Sequence, residues 1–287
     1  MLVILGTIIG LGCIFGGYLL HGGSLLAIWV PTEYLMIIGG AIGAFVISNT
    51  SQMMKNVKKA FLALFKPSPI NKQYYMALMA LQYELLSKIR KEGLMSIEDE
   101  IENPHDSELF QKYPLVLADH HIIDFLTDYL RLMVSGNLNP MEIENLMDSE
   151  IETHHAEAHA PQSSVQQMAD GLPAFGIVAA VMGVVNVMNS VGKVSNQQLG
   201  VMIASALVGT FLGILLAYAI VGPIANQMSL RIDESSKPFE VVKTTLLASL
   251  NGYSPAISVE FGRKVLYSTH RPSFLELEEH VKGSKGS

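Results

Sequence analysis

Two long apolar runs in the second half of the chain, residues 172–191 and 199–225, are separated by a few polar positions and the single charge Lys193. A helix of about 20 apolar residues spans about 30 Å of hydrocarbon, so each run is long enough to cross a bilayer and the two form a transmembrane hairpin. Residues 1–20 form another apolar run, interrupted by Gly6, Gly10, Gly12, Gly16 and Gly17. It shows neither a basic start nor a small-residue cleavage site, so it reads as a retained first helix. After a short turn at 21–31, a second run begins at Thr32 or Glu33 and extends to about Ser48, giving a second hairpin.

The intervening and trailing segments carry a different period. In 75–89 the apolar positions Met76, Leu78, Met79, Leu81, Leu85, Leu86 and Ile89 repeat as on one face of a helix. Ser96 and Asp99 have capping-box spacing, although Glu or Gln is the usual partner there. Asn103 and Pro104 end that stretch. Residues 114–134 read as helical and are stopped by Ser135, Gly136 and Asn137, after which Asn139 and Pro140 open an acidic helix over 141–159. Helix resumes past Ala225 to about Val242 and beyond. Residues 251–255 break it, 256–267 are helical again, and 283–287 form a loose end.

Basic residues next to a membrane helix mark its cytoplasmic flank. Lys55, Lys58 and Lys59 follow the second run directly, whereas the loops at 21–32 and 192–198 are almost free of basic residues. The expected fold is an all-α integral membrane protein with four transmembrane helices, a helical cytoplasmic domain and both termini cytoplasmic. Its segments are a first hairpin (1–50), a cytoplasmic helical domain (51–170), a second hairpin (171–225) and a cytoplasmic helical tail (226–287).

Composition sharpens this division. Only 16% of the residues are charged and mean hydropathy is +0.34. Before Lys55 the sole charged side chain is Glu33, and the acidic excess lies in 51–170. A net charge of −7 argues against nucleic-acid binding. Cys13 is the one cysteine, which excludes a disulfide framework and a thiolate metal site. No glycine-rich phosphate loop occurs. His154, His155 and His159 stand near Glu150, Glu152 and Glu157, but not in the His-Glu-x-x-His order of a zinc protease; a solvated acidic helix accounts for them, and the same holds for the His120–His121 pair. No nucleophile–base pair and no cofactor or metal ligand set emerges, so the chain does not read as an enzyme.

Within the apolar runs, Gly176, Ala180 and Gly183 share one helix face, and Ala206, Thr210, Gly213 and Ala217 share another. Small faces permit close helix approach; they serve either as plain contacts or as the lining of a path at a subunit interface. Thr210 is the hydroxyl deep in its face. Pro173 reads as the first turn of the third membrane helix, where its missing N–H costs little. Pro223, after a complete helix, should bend it or release backbone groups. No Asp, Glu, Lys or Arg lies well inside the four runs, with Glu33 at a boundary. Ion paths through lipid need an ionisable group, so either no ion moves or a partner supplies the carboxylate. Arg90, Lys91 and Glu92, close to Glu98–Glu102, form a mixed charge patch that is either ordinary surface or a docking face.

The runs at 172–185 (LPAFGIVAAVMGVV), 208–218 (VGTFLGILLAY) and 251–267 (NGYSPAISVEFGRKVLY), with Gly16–Gly17–Tyr18 and the Arg90 and Ile97–Glu98 region, strongly resemble the MotA family of flagellar motor stator proteins, within the MotA/TolQ/ExbB proton channel family. The resemblance covers nearly the whole chain. It implies a multi-pass protein of the bacterial inner membrane, five copies of which surround two copies of a single-span partner, MotB. That partner carries the proton-binding Asp. It implies further that proton flow drives the ring against the rotor switch protein FliG, with no cofactor. By resemblance, Arg90 and Glu98 meet the rotor, Pro173 and Pro223 couple conformation to ion flow, and Thr210 and Ala180 line the ion path. Sodium-driven relatives tend to have Thr at the position of Ala180, so its apolar side chain favours protons. The energising subunits of outer-membrane transport systems, of the ExbB/TolQ type, are the alternative, but they typically have three membrane helices and a differently placed cytoplasmic part.

Overall fold

The computed structural model describes residues 2–136 and 139–283. In chain order the helices are α1 (Leu2–Leu20), α2 (Leu25–Ile28), α3 (Pro31–Ser48), α4 (Ser51–Ala63), α5 (Lys72–Glu92), α6 (Glu98–Glu102), α7 (Glu108–Gln111), α8 (Pro114–Leu117), α9 (His120–Ser135), α10 (Pro140–Ser190), α11 (Asn196–Leu215), α12 (Gly222–Leu250), α13 (Pro255–Lys264) and α14 (Phe274–Gly283). A 3₁₀ turn, Leu94–Ile97, leads into α6, and a π-helical turn, Leu216–Val221, joins α11 to α12. Among the described residues no strand occurs. Among the described residues four helical stretches are long and apolar enough to cross a membrane: Val3–Leu20, Pro31–Ser48, and windows within Pro140–Ser190 and Asn196–Leu250.

Two compact units emerge, each assembled from separated pieces of chain: Met1–Pro67 with Glu157–Arg231, and Ser68–Ala156 with Ile232–Ser287. The first, membrane-spanning unit has a small core of Ile37, Ala41, Leu172, Ala179, Leu212 and Ala217. Its larger apolar side chains, among them Leu35, Ile47, Ile177, Met182, Val201 and Leu207, are exposed. That inside-out arrangement suits a lipid solvent, in which burying Leu brings no advantage over leaving it in the tails. Phe175 instead lays its ring on Gly40, where a Cβ would stand 2.7 Å from the ring. Arg231 closes the unit by donating to the carbonyls of Ala63 and Lys66.

The second unit is packed for water. α5 buries Tyr74, Tyr75, Leu78, Met79, Leu81, Leu85 and Leu86, and the same core takes in Phe110, Phe125, Tyr129, Phe239 and Leu246. Phe125 meets Tyr129 and Phe239 with ring centroids 4.8 and 5.1 Å apart. Asn71 caps α5 through the Tyr74 N–H, and Asp119 caps α9 through the Ile122 N–H. Asn139 and Glu142 close a reciprocal box at the start of α10, and Ser254 caps α13 ahead of Pro255.

Several local expectations need correction. Pro173 does not open a helix: α10 runs unbroken through both Pro161 and Pro173. An internal proline removes one hydrogen bond and crowds one carbonyl, but a backbone in lipid has no better partner than its own helix, so the helix continues. Ser96 is not an N-cap; its hydroxyl donates to the Gly93 carbonyl within the 3₁₀ turn, and Ile97 precedes α6. The helix expected over 114–134 is split at Ala118 and Asp119, because the Asp119 side chain starts α9 afresh. Gly136 ends α9 with φ of 72°. The stop at Asn137 and the end beyond Gly283 lie outside the described residues.

Candidate functional site

The two small faces meet each other. A Cβ at Gly176 would stand 2.8 Å from the Gly209 carbonyl and 3.1 Å from the Gly213 Cα, and one at Gly213 would stand 2.7 Å from the Leu172 carbonyl. At Gly183 it would meet the Ala206 Cβ at 2.6 Å. α10 and α11 therefore touch backbone to backbone within one chain, and the glycines are there because nothing larger fits. Ala180 and Thr210 remain half-buried. They sit where the two helices cross, since the bare face of Gly209 points at the Ala180 N–H, 3.2 Å from a would-be Cβ.

A third helix enters this crossing. Glu33, in the first turn of α3, is 4% exposed. Its Oε2 would lie 2.5 Å from a Cβ at Gly209, and its Oε1 3.8 Å from one at Gly183. Read as a boundary residue from its place in the sequence, this carboxyl group is buried against α10 and α11. One acid in an otherwise uncharged stretch of more than fifty residues was the signal available; its burial follows from packing that the sequence does not display. Just outside it, Trp29 and Tyr34 stack with centroids 4.9 Å apart.

Pro223 is exposed and follows the π turn. A proline cannot donate to the carbonyl four residues back, and its ring crowds that carbonyl. The wide turn of Leu216–Val221 absorbs both effects, and Gly222 leaves room for the Ala217 carbonyl, 2.8 Å from where a Cβ would stand. Wide turns of this type recur at functional positions in helices.

Arg90, in the last turn of α5, and Glu98, at the start of α6, are both exposed. Between them lie the Gly93 bend and the 3₁₀ turn. Lys88 and Glu100, two residues inside each, pair at 2.8 Å and pin the two elements together. Burial pushes the Glu100 carboxyl up, but hydrogen bonds from Lys88 and Ser107 outweigh it and hold that group below its ordinary range. Arg131 ties the far end of α6, binding Glu102 at 2.9 Å and the Ile101 carbonyl at 2.7 Å. The outer pair is thus displayed on a fixed corner. Of the histidines of α9 and α10, His154 lies tilted against Phe239 at 4.4 Å and 5.5 Å from His121, while His155 stands 3.4 Å from Asp233.

Residues 4–93 match the family described as Motility protein A N-terminal, and residues 118–241 match the MotA/TolQ/ExbB proton channel family. Motility protein A of Escherichia coli (strain K12) is 52% identical over 285 residues, covering 99% of this chain and 96% of that relative. The flagellar MotAB stator complex from Bacillus subtilis contains a chain 26% identical, with a TM-score of 0.70 over 96% of this chain and 97% of that one. A chain of the C. jejuni MotAB structure shares the fold, with a TM-score of 0.75 at 20% identity over 94% of this chain and 98% of that one. With its full length matched and both family segments in order, the chain belongs to the motility protein A group of the MotA/TolQ/ExbB proton channel family.

Proposed function

We propose that this chain is the stator subunit of a flagellar motor, conducting protons together with a single-span MotB partner and converting their flow into torque. The observation that carries the reading is the match to Motility protein A along essentially the entire chain. Such full-length similarity also favours the stator over an outer-membrane transport energiser.

In this reading four helices cross the inner membrane with both termini in the cytoplasm. Five copies surround two partner helices, which bring the proton-binding Asp. Thr210 and Ala180 face that Asp, and the apolar Ala180 offers no oxygen to a sodium ion. Each protonation removes a charge that is costly beside apolar walls, and a membrane potential supplies about 2.3 kcal/mol per charge per 100 mV. Pro173 within α10 and Pro223 after the π turn let the two helices follow the change. Arg90 and Glu98 transmit it to the rotor protein FliG through charge complementarity.

The test is motility in a flagellated host lacking its own stator. Swimming restored by this chain and its partner should persist without sodium and stop with a protonophore. Charge reversal at Arg90 or Glu98 should slow swimming several-fold while membrane assembly stays intact. Sodium-dependent swimming would overturn the proton assignment, and lost assembly would make the two charges structural.

A further inference from the structure

Glu33 has no role in the reading above, yet its surroundings are unusual. It is more than nine-tenths buried, and its Oε2 has no hydrogen-bond partner among the described residues. The carboxyl group lies flat on the bare backbones of Gly183 and Gly209, at the crossing that also holds Ala180 and Thr210. Small residues alone would mark only a helix contact. A buried carboxyl group aimed into them is different, because an ionised oxygen without donor or counter-charge is strongly disfavoured there, and ionisable groups within membrane spans belong to ion and proton pathways.

The missing partner is cationic, and the cradle limits its kind. A metal cation takes several oxygen ligands at once. Besides the carboxyl group itself, the side chains nearest the bare faces of Gly183 and Gly209 are those of Ala179 and Ala206, which carry no oxygen, and Thr210 brings the crossing a single hydroxyl. A proton needs neither ligands nor room. We propose that Glu33 is a proton-binding site of this chain, placed in series with the acid of the partner.

This assignment rests on the stator reading for its direction. There the loop before α3 faces outward, so Glu33 loads first: an external hydronium gives its proton to the carboxylate and leaves as water. The carboxyl group then passes the proton to the partner's carboxylate and is regenerated. Such an intermediate acid matters most where external protons are scarce.

The experiment uses the complete complex, with Glu33→Gln as the isosteric variant that cannot bind a proton and Glu33→Asp as the variant that keeps an acid. In infrared difference spectra between acidic and alkaline external buffer, the wild type should show a carboxyl carbonyl band that Glu33→Gln lacks and Glu33→Asp retains at a shifted position. Torque of Glu33→Gln should fall several-fold in alkaline medium and much less in acidic medium, with Glu33→Asp partly restoring it. An unchanged spectrum in Glu33→Gln, or a torque–pH curve superimposable on the wild type, would overturn the proposal. If Glu33→Gln fails to assemble, an unshifted band in Glu33→Asp overturns it equally. A wild-type complex that carries no proton current defeats the stator reading instead, while the band still decides whether Glu33 binds a proton.

Discussion

In the membrane-spanning unit the buried apolar positions include Ala41, Ala179, Ala206 and Ala217, and helices meet through Gly176, Gly209 and Gly213. In the other unit they include Tyr74, Tyr75, Phe110, Phe125 and Tyr129, with α5 sunk into the centre. The difference follows from solvent. Water drives large apolar side chains inward, so the second unit is held by the size of what it buries. Lipid exerts no such drive, so the first is held by how closely backbones approach. One unit is sensitive to what is removed and the other to what is added.

Four substitutions put that contrast under strain. The largest effect is expected for Phe125→Ala, a fully buried ring among two others; loss of such a side chain costs about 4 kcal/mol. Denaturant unfolding of the purified protein would measure it, and a cost no larger than that of Ile37→Ala in the membrane unit would break the comparison. Next comes Gly176→Val, which sets a branched side chain against the backbone at Gly209 and Gly213; overpacking of this kind costs about 2 kcal/mol. It should appear as reduced complex in the membrane, with the second unit still folded by limited proteolysis.

A smaller loss, about 1 kcal/mol for a lost N-cap, is expected for Asp119→Ala. This change removes the α9 cap and the carboxylate that accepts from the Tyr74 hydroxyl at 2.9 Å. Asp119→Asn should recover most of it. The smallest effect is a pH dependence at α14. The Lys72 ammonium, with the Ser273 backbone and hydroxyl, lowers the Glu276 carboxyl from 4.5 to about 2. Because the folded value is depressed, the stabilisation is fully present above about 4.5 and is lost as pH falls through about 2. Lys72→Met should raise the titration midpoint of Glu276, read by NMR of its side-chain carbon, and lower neutral-pH stability only slightly, because the pair is exposed and screened.

Much of this was legible in the chain. The four apolar runs match α1, α3, the apolar part of α10, and α11 with the π turn and the first residues of α12, because length and hydropathy alone decide such segments. The period in 75–89 located α5, and Pro140 stands at the start of α10 as expected, whereas Pro255, read as part of a break, opens α13. The misses share one cause, which is punctuation read without its context. Pro173 looked like a beginning but sits inside a helix whose flanks are strong enough to carry it, as do Pro161 and Pro238, which drew no attention. Ser96 had the spacing of a cap, yet the preceding Gly93 turned the backbone so that its hydroxyl met a carbonyl instead. Burial of Glu33 depends on α10 and α11 arriving beside it, and no local pattern encodes that. Thr210 and Ala180 follow from resemblance alone, and the crossing sets Ala180 against Gly209, the chain neighbour of Thr210 and a position that neither spacing nor composition marks.

The π turn before Pro223 also accommodates a spare residue. It holds one residue more than a regular helical path of the same rise. Removing a single residue from Leu216–Val221 would leave the apolar character of the segment and the direction of the side chains from Gly222 to Arg231 nearly unchanged, but it would tighten the turn to a regular one and press the proline ring against the carbonyl four residues back. Arg231 would keep the Ala63 and Lys66 carbonyls it now holds, and the strain would fall at Pro223 instead. Chain length in that one turn is therefore as strictly specified as any side chain in it.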